Sequence, residues 1–273
     1  MKNYPLLHKL MLILLISWMA STASAASKSD LAKEKRWEAQ IVDSLLVGEA
    51  IKLNADNVEF LGLYAEPTTE QVKGAVILLH GMGGHPAWPD VIDPLRMQLP
   101  ELGWHTLSLQ MPILGNEATA KDYPPLFQEV PARIQAGVNY LKSKGINNIV
   151  LSGHSIGATM ASFYLSTHRD PAVKTFAILS GGFGVPKDTL MDSINHFRNI
   201  KGVNIFDIYG SEDLKPVLKV IGIRSPLGKK LHKDHYRLIK VHGANHFYRD
   251  KQEELVKILN TELSKKVDYQ QYH

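Results

Sequence analysis

Gly153-His154-Ser155-Ile156-Gly157 sets a serine between two glycines, after the apolar run Ile149-Val150-Leu151 and ahead of a segment whose Ala161, Tyr164 and Leu165 share a helical face. A strand that turns this sharply into a helix admits only small residues on either side of the serine, and it lifts the hydroxyl clear of the sheet. A hydroxyl of ordinary acidity is a poor nucleophile; it needs a histidine in hydrogen-bond reach and a carboxylate to orient that histidine. Both follow in the order Ser, Asp, His. Ile205 to Asp213 reads as a strand ending in a turn that carries an acid, and Ile239 to Phe247 as a strand followed by a loop histidine. Asp213 is preferred as the acid because open α/β sheets place their sites beyond the carboxyl ends of strands; Asp207 falls inside its strand and Glu212 one residue earlier in the turn. His246 is preferred to His242, which abuts the strand end, because it follows the flexible Gly243-Ala244 turn. The oxyanion of an acyl-transfer intermediate needs two aimed N–H donors. Ile156, next after the serine, and Met82, in the glycine-rich loop His80 to His85, are the candidates. That loop lacks the lysine and serine of a phosphate-binding loop.

These residues need a sheet to hold them. Short apolar runs bounded by turn residues alternate with segments of helical period, the pattern of a parallel sheet with crossover helices. Eight strands are expected: Ala50–Leu53, Val58–Tyr64, Ala75–His80, Thr106–Gln110, Asn148–Ser152, Thr175–Ser180, Asn204–Tyr209 and Tyr236–Val241. The first two lie beside charged residues, as edge strands do, whereas Val76 to Leu79 and Ile149 to Leu151 are continuously apolar, as strands covered on both faces must be. Pro131 opens a helix with Ile134, Val138 and Leu141 on one face, and Leu255, Leu259 and Leu263 mark the last helix. The stretch Met111 to Phe127 is irregular and long enough to be functional. Trp37, Ile41 and Leu45, spaced at fours, make residues 26–47 a helix or a loosely docked arm that serves packing rather than chemistry.

His80-Gly81-Met82-Gly83-Gly84, Gly153 to Gly157 and Gly243-Ala244-Asn245-His246-Phe247 resemble the α/β-hydrolase superfamily, from about Glu49 to the last helix. Trp88-Pro89 through Leu109-Gln110-Met111-Pro112 is similar to a bacterial family of exported, uncharacterised hydrolase-like proteins. The resemblance implies the α/β-hydrolase fold, with a mostly parallel eight-stranded sheet, helices on both faces and the triad roles of Ser155, Asp213 and His246. It implies no particular substrate. A cap in this superfamily often follows the sixth strand, and here residues 181–203 leave room only for a minimal one. An open cleft of that kind suits a small or surface-presented ester. Trp88, Tyr123 and Phe127 are available to wall it, and His85, Lys121 and Arg249 to meet an anionic substrate, although packing and solvation account for them equally.

The rest of the composition sets bounds. Lys2 and Lys9, the apolar stretch Leu10 to Ala20 and the small residues Ala23-Ser24-Ala25 read as a signal peptide over residues 1–25, cleaved near Ala25, which implies export, to the periplasm. The apolar stretch falls short of the roughly 20 residues that span a bilayer. With no cysteine in the chain there is no lipid-modified N-terminus, disulfide or thiolate chemistry. The formal charge of +4 among 273 residues shrinks by two without the leader, too little to argue for nucleic acid. The run Lys229 to Lys240 is locally basic, of a kind that faces solvent, anionic lipid or a polyanion. The histidines fall in separate segments without a paired carboxylate motif, so neither a metal nor a cofactor is expected. Residues 48–273 are expected to form one hydrolase domain. The leading expectation is an esterase. A peptidase or amidase on the same triad, or a catalytically silent envelope protein that binds a partner, are the alternatives.

Overall fold

The computed structural model describes residues 28–182 and 190–266. The expected leader lies outside the described residues, and no helix among those described is long and apolar enough to cross a membrane. All eight expected strands are present: β1 (Glu49–Ala55), β2 (Val58–Ala65), β3 (Gly74–Leu79), β4 (Trp104–Leu109), β5 (Ile149–His154), β6 (Val173–Leu179), β7 (Asn204–Glu212) and β8 (Tyr236–Asn245). They form one open sheet in the order β1-β2-β4-β3-β5-β6-β7-β8. The β1/β2 and β2/β4 pairs are antiparallel, and the pairs from β4 through β8 are parallel. The helices are α1 (Leu31–Asp43), α2 (Ile92–Gln98), α3 (Val130–Ser143), α4 (Ile156–Thr167), α5 (Ser193–Asn199), α6 (Lys215–Leu231) and α7 (Gln252–Ser264).

Side chains alternate across a strand, so a sheet covered on both faces divides each apolar run between two cores. Ala75, Ile77 and Leu79 join Leu151, Phe176 and Ile178 under α3 and α4. Val76 and Leu78 join Val150, Ala177 and Leu179 under α2 and α7. The helical faces read from the sequence are the ones buried: Ile134, Val138 and Leu141 in α3, and Leu255, Leu259 and Leu263 in α7. Tyr123 and Phe127, available as cleft walls on sequence grounds, are instead buried in the first core, because the stretch after β4 folds back into 3₁₀ turns at Ala120–Asp122 and Pro124–Gln128.

The N-terminal arm is a helix, and it is more than loosely docked. Ile41 and the half-buried Trp37 cover Leu61 and Leu63 of β2, as their spacing requires. The same face also carries Glu34, which is buried and pairs with the fully buried Arg133 of α3 at 2.9 Å, while the Ser29 hydroxyl donates to the same carboxylate. Lys33 reaches the Leu114 carbonyl at 3.0 Å and Asn116 at 2.8 Å. Asp30 N–H donates to the Ile113 carbonyl, and Ile113 N–H returns a bond to Ser29 Oγ. The arm is therefore held to the stretch after β4 by polar contacts. Breaking one side of a buried ion pair leaves the other charge uncompensated, at a cost of about 3–5 kcal/mol. Glu34→Ala is expected to lower stability by about that much in urea denaturation, and Val42→Ser, on the exposed side of α1, to change it by less than about 0.5 kcal/mol.

Candidate active site

The site is assembled by strand register at the carboxyl edge of the parallel strands. Leu79 of β3 is level with Gly153 of β5, so the residues two further on, Gly81 and Ser155, emerge side by side. A Cβ placed on Gly81 would stand 3.5 Å from that of Ser155. Glu212 of β7 is level with Asn245 of β8, so Asp213 and His246 follow together. A register shift between Gly210 and Glu212 creates this match. It also draws Gly243-Ala244-Asn245 into β8, so the turn read before His246 begins at His246 itself.

Between β5 and α4 the chain turns through Ser155 at φ 57° and ψ −121°, a left-handed conformation that costs a non-glycine residue about 1–3 kcal/mol. The crossing is tight: a Cβ on Gly153 would lie 2.5 Å from the backbone of Gly157, and one on Gly157 would lie 2.5 Å from the carbonyl oxygens of Leu79 and His80. Only glycine fits at either place. Ser155 N–H is tied to the Leu179 carbonyl at 3.0 Å, and Ile156 begins α4, where the first N–H groups have no partner within the helix.

His246 lies on a loop that must reach back over β7 and β6, roughly 14 Å at the usual strand spacing, to meet a serine on β5. Two anchors hold it there. Tyr248 is buried, accepts a hydrogen bond from Ser180 at 2.9 Å and donates to the Ile208 carbonyl at 3.1 Å. His154 Nε2 donates to the carbonyl of His246 at 2.9 Å. With the loop so placed, His246 Nδ1 donates to Asp213 Oδ1 at 2.7 Å, and its Nε2 accepts from Ser155 Oγ at 3.0 Å. Burial works to raise the Asp213 carboxyl, but it stays below the ordinary value because the hydrogen bond from His246, with help from the Leu214 N–H at 2.7 Å, favours the charged form. Asp207, weighed above as an alternative acid, has both oxygens occupied by Arg224 at 2.7 Å each and accepts a further bond from Tyr236. Glu212 is exposed, and so is His242.

The glycine-rich loop is fixed from behind by His80. Its Nδ1 donates to the Gly81 carbonyl at 2.8 Å, and its Nε2 accepts from the Met111 N–H at 2.9 Å. Gln110, whose side chain also meets that ring nitrogen, accepts from Arg133 through its carbonyl at 2.9 Å. A buried polar chain therefore runs from Glu34 through Arg133 to the loop beside Ser155. Sequence reasoning missed it. Its one signal was a charged residue on the apolar face of α1, three residues before Trp37 and seven before Ile41. Gly83 N–H is taken up by the Tyr123 hydroxyl at 2.9 Å and Gly84 N–H by the Gly81 carbonyl at 3.2 Å. Met82, which precedes them, is at the surface, 44% exposed. His85 is enclosed between Trp37 and Trp88, and burial pushes it down to about 4, so it meets no anion as a cation. Arg249 pairs with Asp90 at 3.2 Å beside Phe247.

The arrangement is a hydrogen-bonded line of serine, histidine and aspartate at the carboxyl edge of an open α/β sheet. The profile of one protein family, described as a protein of unknown function (DUF3530), matches residues 7–125 and 115–260. The chain belongs to that family. No curated protein matches it. Among solved structures it is similar to Est1E from Butyrivibrio proteoclasticus, with a TM-score of 0.62 and 17% identity over 79% of this chain and 98% of that one. An α/β serine hydrolase without lid from Xanthomonas campestris gives 0.63 and 15%, over 82% and 97%. An esterase of Pyrococcus furiosus gives 0.65 and 19%, over 83% and 94%. At these identities the likeness establishes the α/β-hydrolase fold.

His80 and His154 make the site sensitive to acid. Both are fully enclosed, and burial pushes them down to about 3 and about 4, from 6.5. As the pH drops below 6.5 the unfolded chain takes up these two protons and the folded chain does not. Stability is therefore intact above that pH and declines toward pH 4, by at most about 2–3 kcal/mol per pH unit. Denaturant midpoints measured between about pH 7.5 and pH 5 should fall steadily, and less steeply in His80→Gln if the fold is kept.

Proposed function

We propose that the chain is a serine hydrolase that cleaves a small or surface-presented ester through an acyl-enzyme, with Ser155 as nucleophile, His246 as general base and acid, and Asp213 as the orienting carboxylate. The observation that carries this reading is the continuous hydrogen-bonded line from Ser155 through His246 to Asp213, mounted on a strained elbow. Ser155 Oγ attacks the carbonyl carbon as its proton passes to His246 Nε2, and the carbonyl oxygen gains the negative charge. The N–H groups of Met82 and Ile156 receive that oxyanion; the loss of one such donor costs about 10²–10³ in kcat. Asp213 balances the imidazolium, which then returns the proton to the departing alcohol. Water takes the alcohol's place and attacks the acyl carbon as His246 takes its proton; the bond to Ser155 Oγ then breaks, His246 returns the proton to that oxygen, and the acid is released. His154, whose ring lies 4.9 Å from that of His246, is kept neutral by burial and so brings no second positive charge into the site.

The short connection between β6 and β7, with α5 laid against α4, supports an open cleft. The leader features of residues 1–25 support action in the periplasm, by the domain from residue 48 onward with its N-terminal arm. Hydrolysis of short-chain nitrophenyl esters by the purified chain tests the reading. Ser155→Ala should abolish turnover, and Asp213→Asn should lower kcat by roughly 10⁴ with KM little changed. Matched anilides should turn over more slowly than esters. A Ser155→Ala variant that retains full turnover, or anilides cleaved as fast as esters, would overturn the assignment.

A further inference from the structure

The helix after the acid carries a feature that the hydrolytic site does not use. In α6 the buried positions Val217, Ile221, Arg224 and Gly228 recur at helical spacing, and the opposite side faces solvent. That outward side holds Lys219, Ile223 and Lys230, flanked by Lys215 and Lys229. From residue 215 to 231 there is no acid. Lys233 continues the same sign in the next turn, where Asp234 is its acidic neighbour. Among the described residues, none of these five lysines has a carboxylate within salt-bridge distance, whereas Arg237 of β8 and Lys251 and Lys265, which flank α7, are each paired. Ile223, 47% exposed, stands among them, and Leu214 and Leu231 are exposed at the two ends of the helix.

We propose that this face of α6 docks on an anionic lipid bilayer. Unpaired lysines alone would suit any polyanion, but a soluble polyanion gives no reason to leave Ile223 in water in their midst. A bilayer answers both features, because phosphate headgroups meet the ammonium groups while Ile223 enters the acyl boundary. Lys229 and Lys230, which open the basic run that the sequence displays, form the distal end of this surface. Leu214, at its other end, directly follows Asp213, so α6 starts at the triad and a docked molecule holds its cleft beside the lipid. If Ser155 acts as proposed above, its substrate is an acyl ester presented at that surface; this corollary rests on the functional reading, whereas docking does not.

Flotation of the chain from residue 26 with vesicles tests the two apart. Binding is expected to vesicles of equal parts phosphatidylglycerol and phosphatidylcholine and not to phosphatidylcholine alone. Lys219→Gln and Lys230→Gln should each lower partitioning roughly fivefold, with further loss in high salt. Ile223→Ser should weaken binding as well. All three variants lie outside the catalytic machinery and should keep wild-type turnover of a soluble ester. Absence of binding to anionic vesicles, or equal binding to both compositions, overturns the docking. Weakening by the lysine variants with no effect of Ile223→Ser overturns the lipid as occupant in favour of a soluble polyanion. Vesicle binding by a chain that hydrolyses no ester supports docking and counts only against the functional reading.

Discussion

The backbone crossing at residues 153–157 is the constraint on which the rest depends. Ser155 holds a conformation that an L-residue avoids, and it does so where β5, β3 and α4 approach within distances that exclude even one methyl group at Gly153 and Gly157. Such strain persists only when the surroundings over-determine it. Here every residue of β5 is buried, and α4 is buried from Ile156 through Ser162. The packing that fixes the elbow also starts α4 at Ile156 and sets Gly81 against the serine, so stability and geometry share one origin.

Charge is rationed around the elbow. Asp213 is the acid within hydrogen-bond reach of His246, and the two buried histidines beside the site are kept neutral by desolvation. Neutral imidazole has one donor and one acceptor nitrogen. His80 spends them on the Gly81 carbonyl and the Met111 N–H, and His154 donates to the carbonyl of His246. Each therefore joins two loops that no strand pairing connects. The alternative acid, Asp207, is withdrawn from the site by its bidentate pairing with Arg224, which also accepts the burial of a full positive charge.

The sheet was legible because each strand buries a local apolar run, and the elbow because sterics dictate its residue types over five consecutive positions. The Ser, Asp and His were legible as strand-end residues in chain order. What escaped the sequence depended on partners far along the chain. Glu34 reads as a surface charge until Arg133, 99 residues away, is placed against it. Gly243-Ala244 read as a flexible turn because the β7 register that extends β8 through them to Asn245 is set by a bulge, which leaves no periodic trace. Tyr123 and Phe127 read as possible cleft walls because nothing local says that their loop folds inward. The basic run after Lys229 was visible, but the exposure of Ile223 among lysines emerged only with the orientation of α6.

The most direct test of the central claim is covalent trapping of the folded chain with a fluorophosphonate, followed by mass-spectrometric mapping of the adduct. An activated serine at the elbow requires one phosphonyl group per chain, on Ser155, and none when His246 is replaced by alanine. A folded chain that stays unmodified, or one modified at another serine, would contradict the account.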